Sequence, residues 1–192
     1  VSDKFYFGFN LGLPKARYEY NEIFYESAMD PSQFLLTFNK ADGKAYDTYF
    51  KSASTNYKYV SDTEGVYAKF GFIYKPLSTL RLGAAIQTPA SYTITENWQY
   101  AASTTFDDNY FNGSQTSPTG KYSYRLRTPY VISFGVATTF SRLGLLSIDY
   151  ELMDYSVMQF SEIHNDYLAR DPFFDLNETN RNFAGVSRNI RI

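Results

Sequence analysis

A long stretch of alternation between large apolar residues and small or polar residues runs from Leu80 to Tyr100. A period of two over about twenty residues predicts a β-strand with two chemically different faces. Strands of soluble domains usually end after about 5–6 residues. A tilted strand needs roughly 9–11 residues to cross the hydrocarbon core of a bilayer. The pattern therefore predicts a membrane strand with one face towards lipid and the other towards a lumen.

The same alternation recurs along the chain and predicts an all-β fold, an antiparallel up-and-down β-barrel segment. The predicted strands cover residues 4–20, 64–75, 80–100, 122–140 and 145–160, and a further strand begins near Asn182. In the first strand the large residues change parity after Pro14, which predicts a β-bulge there. Short turns at 76–79 and 141–144 alternate with long polar segments, which we interpret as extracellular loops at about 27–62, 101–120 and 161–181.

Residues 1–192 are predicted to form a single partial barrel domain. The predicted strands cannot close a barrel, because the smallest transmembrane barrels use about eight. The chain opens without a signal peptide and stops with strand chemistry still running. We therefore expect an internal slice of a longer precursor.

The composition is typical of a barrel wall and argues against several other classes. Aromatic residues make up 19% of the chain, cysteine is absent, histidine occurs once, and the net charge is -2. No apolar run is long enough for a transmembrane helix. The missing cysteine removes disulfides and thiolate metal sites, and the near-neutral charge gives no basic surface for nucleic acid. We expect no cofactor, no metal site, no nucleic-acid partner and no enzymatic activity.

Three stretches resemble the FadL-type family of outer-membrane channels for fatty acids and other hydrophobic compounds, in the form common in Bacteroidetes. They are the segments 71–83, 127–130 (Arg-Thr-Pro-Tyr) and 143–155. The resemblance implies a barrel of about fourteen strands, of which this chain supplies about six, plugged by an N-terminal hatch. It also implies passive uptake of fatty acids or aromatic hydrocarbons across a bacterial outer membrane, with release through a gap in the wall. The partners implied are the bilayer, a hydrophobic small molecule, and the remaining strands and hatch.

The sequence is also compatible with two other functions. One branch of the family serves as a subunit of a secretion machine, so the barrel could instead be a structural or docking subunit that binds partner chains of a membrane complex. A third interpretation is a soluble, secreted β-sandwich that acts as a binding module. Its core would be formed by the phenylalanine and tyrosine stripes that the barrel interpretation assigns to lipid.

The alternation assigns a direction to each side chain. The apolar side chains expected on the lipid face are Phe70, Phe72, Leu82, Ile86, Ile132, Phe134, Ile148 and Leu152. An interfacial girdle on the long-loop side is expected from Tyr18, Tyr20, Tyr92, Trp98, Tyr100, Tyr122 and Tyr124. The charged side chains expected on the lumen face are Lys69, Lys75, Arg81, Arg125, Arg127, Asp149 and Glu151.

Two candidate sites follow from these directions. Arg125, Arg127 and Lys69 are candidates for holding the carboxylate of a fatty acid, although such charges more commonly pair with acids of the lumen and hatch. Gly12, Pro14 and Lys15 are candidates for the border of a lateral gate, because a proline removes one donor from the wall. The alternative for these three residues is a rim bulge that only bends the strand.

Other polar residues are better explained by structure than by chemistry. Asp149 and Glu151 are expected to fill the lumen, since no nucleophile or histidine lies near them in the sequence. His164 has no second ligand type for a metal or haem. The cluster Asp107, Asp108, Asn109 and Asn112 could bind calcium, but turn formation is the commoner role of such residues.

Overall fold

The computed structural model describes residues 3–140, 144–163 and 171–192, and most of these residues lie in β-strands. The all-β prediction is therefore confirmed. In chain order the elements are β1 (Phe5–Gly12), β2 (Lys15–Ser27), β3 (Leu35–Asn39), β4 (Ala45–Tyr74), β5 (Leu80–Gln87), β6 (Ser91–Phe106), β7 (Gly113–Thr116), β8 (Gly120–Arg127), β9 (Val131–Thr139), β10 (Leu145–Asp154), β11 (Gln159–Glu162), α1 (Phe174–Phe183) and β12 (Val186–Arg191).

The chain divides into two compact units. Unit 1 comprises residues 1–16, 62–95 and 123–192, and unit 2 comprises residues 17–61 and 96–122. The long strand β4 contributes its C-terminal part to unit 1 and its N-terminal part to unit 2.

Unit 1 contains an antiparallel meander in the order β1–β4–β5–β9–β10–β12. The strand order follows the chain, which confirms the predicted up-and-down arrangement. A short turn joins β4 to β5. Between β9 and β10 the Phe140 N–H donates to the Gly144 carbonyl at 2.9 Å. In the described residues β1 and β12 are the two edges of this meander, which is therefore open.

Three further strand segments extend unit 1. The start of β6 faces the end of β8, because the Thr128 N–H donates to the Ala90 carbonyl at 2.9 Å. The strand β11 pairs antiparallel with β8. The predicted strand 145–160 is thus divided into β10 and β11, with a short 3₁₀ turn at Tyr155–Val157 between them.

Unit 2 is built on the N-terminal part of β4. The strands β2 and β3 pair with β4, and β7 pairs with β6. Four rings form a small cluster at the tip: Phe38 stacks on Phe111 at 5.1 Å, and Phe106 makes edge contacts with Phe38 and Phe50. Phe106 is only 7% exposed, so this cluster is a local core.

The segments 27–62 and 101–120 were expected to be loops, and as secondary structure this expectation is wrong over much of their length. β3, the first part of β4, the end of β6 and β7 all lie within them. The strands are rich in hydroxyl side chains that bond across the sheet, such as Ser54 to Ser103 at 2.9 Å. Polar composition does not distinguish a solvated paired strand from a loop, and here the pairing decides.

The third expected loop, 161–181, contains most of helix α1, and the strand expected near Asn182 begins instead at Val186. The helix lies against β11: the Asn177 side chain accepts from the Phe160 N–H and donates to the Phe160 carbonyl, both at 2.8 Å. Asn180 donates to the carbonyls of Tyr155 and Met158. His164 lies outside the described residues.

The residues considered for calcium instead form a capped turn. Asp107 accepts hydrogen bonds from the Thr48 hydroxyl and the Tyr49 N–H, and Asp108 accepts from the Tyr110 N–H at 2.9 Å. Asn112 accepts from the Phe106 N–H at 2.7 Å. In the described ranges no group of three or more His, Cys, Asp or Glu side chains could hold a metal ion.

The stability of this turn in unit 2 is expected to depend on pH. The hydrogen bond from the Thr48 hydroxyl, followed by that from the Tyr49 N–H, lowers the pKa of Asp107. The carboxylate therefore stabilises the turn above the ordinary Asp pKa of about 4, and the stabilisation is lost as pH falls through the lower folded-state pKa. We expect the Tyr49 amide to lose protection on acidification, as measured by hydrogen exchange corrected for the intrinsic pH dependence of exchange.

Asp107→Asn supplies the control, because an amide oxygen still accepts hydrogen bonds and does not titrate in this range. The variant should show Tyr49 protection that no longer changes across the acid range. Equal acid sensitivity in Asp107→Asn and the original chain would contradict the assignment.

Few hydrophobic side chains are fully buried. Over residues 3–140, 144–163 and 171–192, the buried hydrophobic side chains are Ala90, at 2% exposed, and Phe106. No helix in these same residues is long and apolar enough to cross a membrane.

Candidate membrane-facing surface and ligand site

Cross-strand rows place the large apolar side chains of unit 1 on one face of the meander, which we call the apolar face. Phe70, Ile86, Ile132 and Leu152 lie directly opposite one another on successive strands. The next two rows are Phe72–Ala84–Phe134–Tyr150 and Tyr74–Leu82–Val136–Ile148. The prediction that these side chains share a face is confirmed by the register.

The apolar face is open rather than covered. Phe70 and Phe134 are 53% and 54% exposed, and Phe7 on the neighbouring strand is 77% exposed. A shallow groove of about 540 Å³ crosses this face, with Ala84 as a low point between the flanking phenylalanines. Contiguous exposed apolar surface of this kind marks contact with lipid or with a protein partner.

The opposite face, which we call the polar face, has few large side chains. One row is Gly71–Ala85–Ser133–Glu151, and the next is Ile73–Gly83–Gly135–Asp149. A cavity of about 440 Å³ reaches along these glycines to Asp149. The Asp149 carboxylate lies directly over Gly135, in space that any larger residue would fill. The absence of a side chain at Gly135 therefore lets the Asp149 carboxylate approach the backbone closely.

The register also places the predicted lumen charges Lys69, Arg81, Asp149 and Glu151 on the polar face, as expected. Lys75 also reaches this side, because its ammonium lies 4.2 Å from the ring centroid of Tyr6. Tyr6 itself is opposite Ile73.

The strand formed by β5 and β6 contains a bulge at Thr88, Pro89 and Ala90. On one side the Thr88 N–H donates to the Ala68 carbonyl, and on the other side the ring of Tyr92 lies over Gly65. Four steps along this strand therefore match three steps along β4, so one residue is extra. The Thr88 hydroxyl accepts from the Ala68 N–H at 3.0 Å, and so replaces the missing partner in the ladder.

The extra residue moves Tyr92 to the polar face, the face that also carries Gly65, Tyr67 and Lys69. The interruption between β8 and β9 at Thr128 and Pro129 has the same hydrogen-bond pattern, because the Thr128 hydroxyl accepts from the Ala90 N–H at 2.9 Å. Both Thr-Pro dipeptides thus mark where the strand pattern changes phase.

The phase change separates the predicted ligand-binding residues. Ser123 lies beside Thr95, with their hydroxyl oxygens 3.0 Å apart, and Thr95 is on the face opposite to Tyr92. Arg125 and Arg127 share the face of Ser123, whereas Lys69 is on the polar face. The prediction that Lys69, Arg125 and Arg127 form one inward cluster is therefore wrong.

The same phase change revises the predicted girdle. In unit 1, Tyr92 and Tyr124 lie on the polar face rather than the lipid side, so the girdle assignment is wrong for these two. Tyr124 contacts Phe160 and Phe173 at 6.1 and 5.5 Å, and these three rings lie beside helix α1. The remaining girdle candidates, Tyr18, Tyr20, Trp98, Tyr100 and Tyr122, belong to unit 2.

The expected bulge at Pro14 is also absent. The pairing Gly12 to Tyr67 is followed in the same register by a hydrogen bond from the Gly65 N–H to the Pro14 carbonyl at 2.8 Å. The Lys15 ammonium then pairs with Glu64 across the two strands at 2.7 Å. The ladder is interrupted between β1 and β2 because proline donates no hydrogen bond. The pairing with β4 nevertheless continues on both sides of Pro14, so no gap lies at the expected gate of Gly12, Pro14 and Lys15.

A signal for the missed phase change was present in the sequence. Thr88-Pro89 and Thr128-Pro129 are the same dipeptide inside two adjacent predicted strands. A proline inside a strand pattern marks an edge or a bulge, and the parity change at Pro14 suggested the wrong one of the three prolines.

Comparison of the chain with protein-family models, with curated proteins and with solved structures gives no match.

Proposed function

We propose that this chain forms part of the wall of an outer-membrane β-barrel that takes up hydrophobic small molecules passively. The observation that carries the proposal is the exposed apolar face of unit 1, whose members lie in register across neighbouring strands. In a transmembrane barrel the lipid-facing side chains form such a band, and the opposite side of every strand faces the lumen.

The height of the apolar face supports a membrane crossing. The strands β1, β5, β9 and β10 contain 8, 8, 9 and 10 residues. Two of these strands reach the roughly 9–11 residues that a transmembrane strand needs at a tilt near 45°, and the other two are one residue shorter. Beyond the bulge, the face continuous with the apolar face carries hydrophilic side chains such as Thr93, Ser123 and Arg125. The apolar band therefore ends where a bilayer would end.

A soluble β-sandwich fits these observations poorly. Such a fold buries one face of each sheet against the other, and a chain of this length would bury many apolar side chains. In the described residues of this chain, one alanine and one phenylalanine are the only fully buried hydrophobic side chains. A bilayer supplies the missing apolar environment.

The polar face supports a role in passing or holding a ligand. Its floor of glycine and alanine leaves open space beside Arg81 and Asp149, and Lys69 lies on the same face. We propose that Lys69 and Arg81 attract the carboxylate end of an amphipathic ligand, while the apolar part lies along the small-residue floor. In this proposal the free edges of β1 and β12 pair with further strands, which close the barrel.

Uptake into vesicles tests the proposal. The complete protein, refolded into phospholipid vesicles, should speed the entry of a fluorescent long-chain fatty acid, and Lys69→Gln with Arg81→Gln should reduce that rate. Entry of a neutral hydrocarbon dye should respond less to the two substitutions. Insertion without faster entry of either probe would exclude transport and leave the barrel as a docking subunit, and failure to insert would exclude the barrel.

A further inference from the structure

One face of unit 2 carries a cluster of aromatic rings on β2, β4 and β6. Tyr57 stacks on Tyr100 with ring centroids 4.6 Å apart, and it also contacts Tyr20 at 6.2 Å. Tyr59 contacts Tyr18 at 6.2 Å. Trp98 lies two residues before Tyr100 and so points to the same side of β6. We call these six side chains the aromatic platform: Tyr18, Tyr20, Tyr57, Tyr59, Trp98 and Tyr100.

The platform is not a core. Tyr18 and Tyr100 are 58% and 56% exposed, in contrast to Phe106 in the local core of the same unit. The opposite face of the same strands is a ladder of hydroxyl groups, for example Ser52 to Thr105 at 2.6 Å. The aromatic rings therefore lie on one side of the sheet in unit 2, with ring surface available to a ligand.

Two carboxylates flank the platform, one on β2 and one on β6. The Tyr20 hydroxyl donates to Glu22 at 3.1 Å, and Glu96 hydrogen bonds to the Tyr59 hydroxyl. Lys58 lies at the opposite parity of β4 and so on the other face. Within the stretches 18–22, 55–61 and 96–100, the platform side therefore holds two carboxylates and no lysine or arginine.

The electrostatic character of the tyrosines agrees with this count. Burial, followed by the nearby Tyr100, raises the pKa of Tyr57. Burial, followed by the hydrogen bond to Glu96, raises the pKa of Tyr59. Both rings remain neutral phenols at physiological pH, and their faces keep the negative quadrupole that attracts cations.

We propose that the aromatic platform binds a small organic cation that carries an alkylated ammonium group. Ring faces attract such a group through cation–π interactions, and Glu22 and Glu96 add charge complementarity. The unit already shows this contact internally, because the Lys40 ammonium lies 3.9 and 3.7 Å from the ring centroids of Tyr46 and Tyr110. The two carboxylates disfavour a ligand that also carries a phosphate, so a free cation fits better than a phosphocholine headgroup.

Trp98 provides the readout, because it is the single tryptophan of the chain. The chain is refolded in a non-ionic maltoside detergent, which contains no ammonium group of its own, and titrated with choline while tryptophan fluorescence is followed. The matched ligand is the neutral isostere of choline, in which a tert-butyl group replaces the trimethylammonium group. We expect choline to bind at least about fivefold more tightly than the isostere, the ratio that about 1 kcal/mol of charge-dependent attraction gives.

Phosphocholine distinguishes the two sources of the same headgroup. It should bind more weakly than choline, because its phosphate approaches Glu22 or Glu96. Tighter binding of phosphocholine, equal binding of choline and its isostere, or no response to choline in a chain that shows a β-sheet circular dichroism spectrum would each overturn the proposal.

Variants locate the site. Tyr57→Leu should weaken choline binding by about two- to fivefold through loss of one ring face, whereas Tyr57→Phe keeps the ring and should bind nearly as well. Glu96→Gln should weaken choline and leave the neutral isostere unchanged. Tyr130→Leu, which changes a tyrosine of unit 1 that is not part of the platform, is the control and should change nothing. Equal effects of Tyr57→Leu and Tyr130→Leu would overturn the assignment.

This inference is independent of the transport proposal. Choline binding is measured in detergent, and fatty-acid entry is measured in vesicles. Loss of either result leaves the other standing.

Discussion

In the proposed barrel, replacing Phe134 with arginine should destabilise the protein in a bilayer by about 2–4 kcal/mol, the usual cost of a cationic side chain at the bilayer midplane on the lipid face. Phe134 is near the middle of β9, in the row with Phe72 and Ala84, and its ring is largely exposed. About half of its side-chain surface is open, so in the proposed barrel the guanidinium would meet hydrocarbon. A urea titration of the protein refolded into phospholipid vesicles measures the loss.

The adjacent residue supplies the matched control. Ser133 is on the polar face, directly opposite Glu151. In the proposed barrel, an arginine at Ser133 can pair with that carboxylate on the hydrated side, so Ser133→Arg should change the free energy of unfolding by less than about 1 kcal/mol. Equal losses for the two variants, or a larger loss for Ser133→Arg, would show that the apolar face does not meet lipid.

The contrast between these neighbours shows which part of the architecture the sequence predicts well. Along β4, β5, β9 and β10 the alternation is unbroken, and the predicted direction of each side chain is confirmed by register. A period of two assigns each side chain to one face of the sheet without ambiguity, as long as no residue is inserted into the strand. The order of the strands was also predicted correctly, because strands that follow each other closely in the chain tend to pair.

The candidate site was predicted less well, because a single inserted residue reverses every direction that follows. The sequence between Leu80 and Tyr100 keeps its even-position pattern through the bulge at Pro89. The pattern stays constant although the strand changes phase, so the large side chains pass from the apolar face to the polar face. Alternation alone records parity along the chain and not the face of the sheet, and the cross-strand contacts of Tyr92 and Ser123 were needed to assign the face.

Helix α1 was missed for a different reason. Its sequence contains three asparagines among ten residues and has no side-chain cap at Phe173. Intrinsic propensity therefore argues against a helix. What stabilises it is tertiary: two of those asparagines bond the backbone of the preceding strand and turn. A sequence pattern does not reveal a partner that lies about twenty residues away in the chain.

That tertiary role makes Asn177 the most sensitive residue of the helix. Its amide satisfies both the N–H and the carbonyl of Phe160, and the side chain is 9% exposed. Phe160 is on β11, whose only strand partner in the described residues is β8, so Asn177 occupies the outer edge of that strand. Asn177→Leu keeps a similar volume and removes both bonds. We expect a loss of about 2–4 kcal/mol from two unsatisfied backbone groups.

The loss should be local. Amide exchange at Phe160 and along α1 should accelerate, while the amides of β5 and β9 keep their protection, because the meander of unit 1 does not depend on the helix. Asn182→Ala, at an exposed position of the same helix, separates the bonds of Asn177 from helix propensity and should change little. If Asn177→Leu left exchange at Phe160 unchanged, or if Asn182→Ala had the same effect, the helix would be held by its aromatic contacts rather than by this amide. In that case the edge of β11 would be protected by the packing of Phe173 on Phe160, whose rings lie 5.7 Å apart.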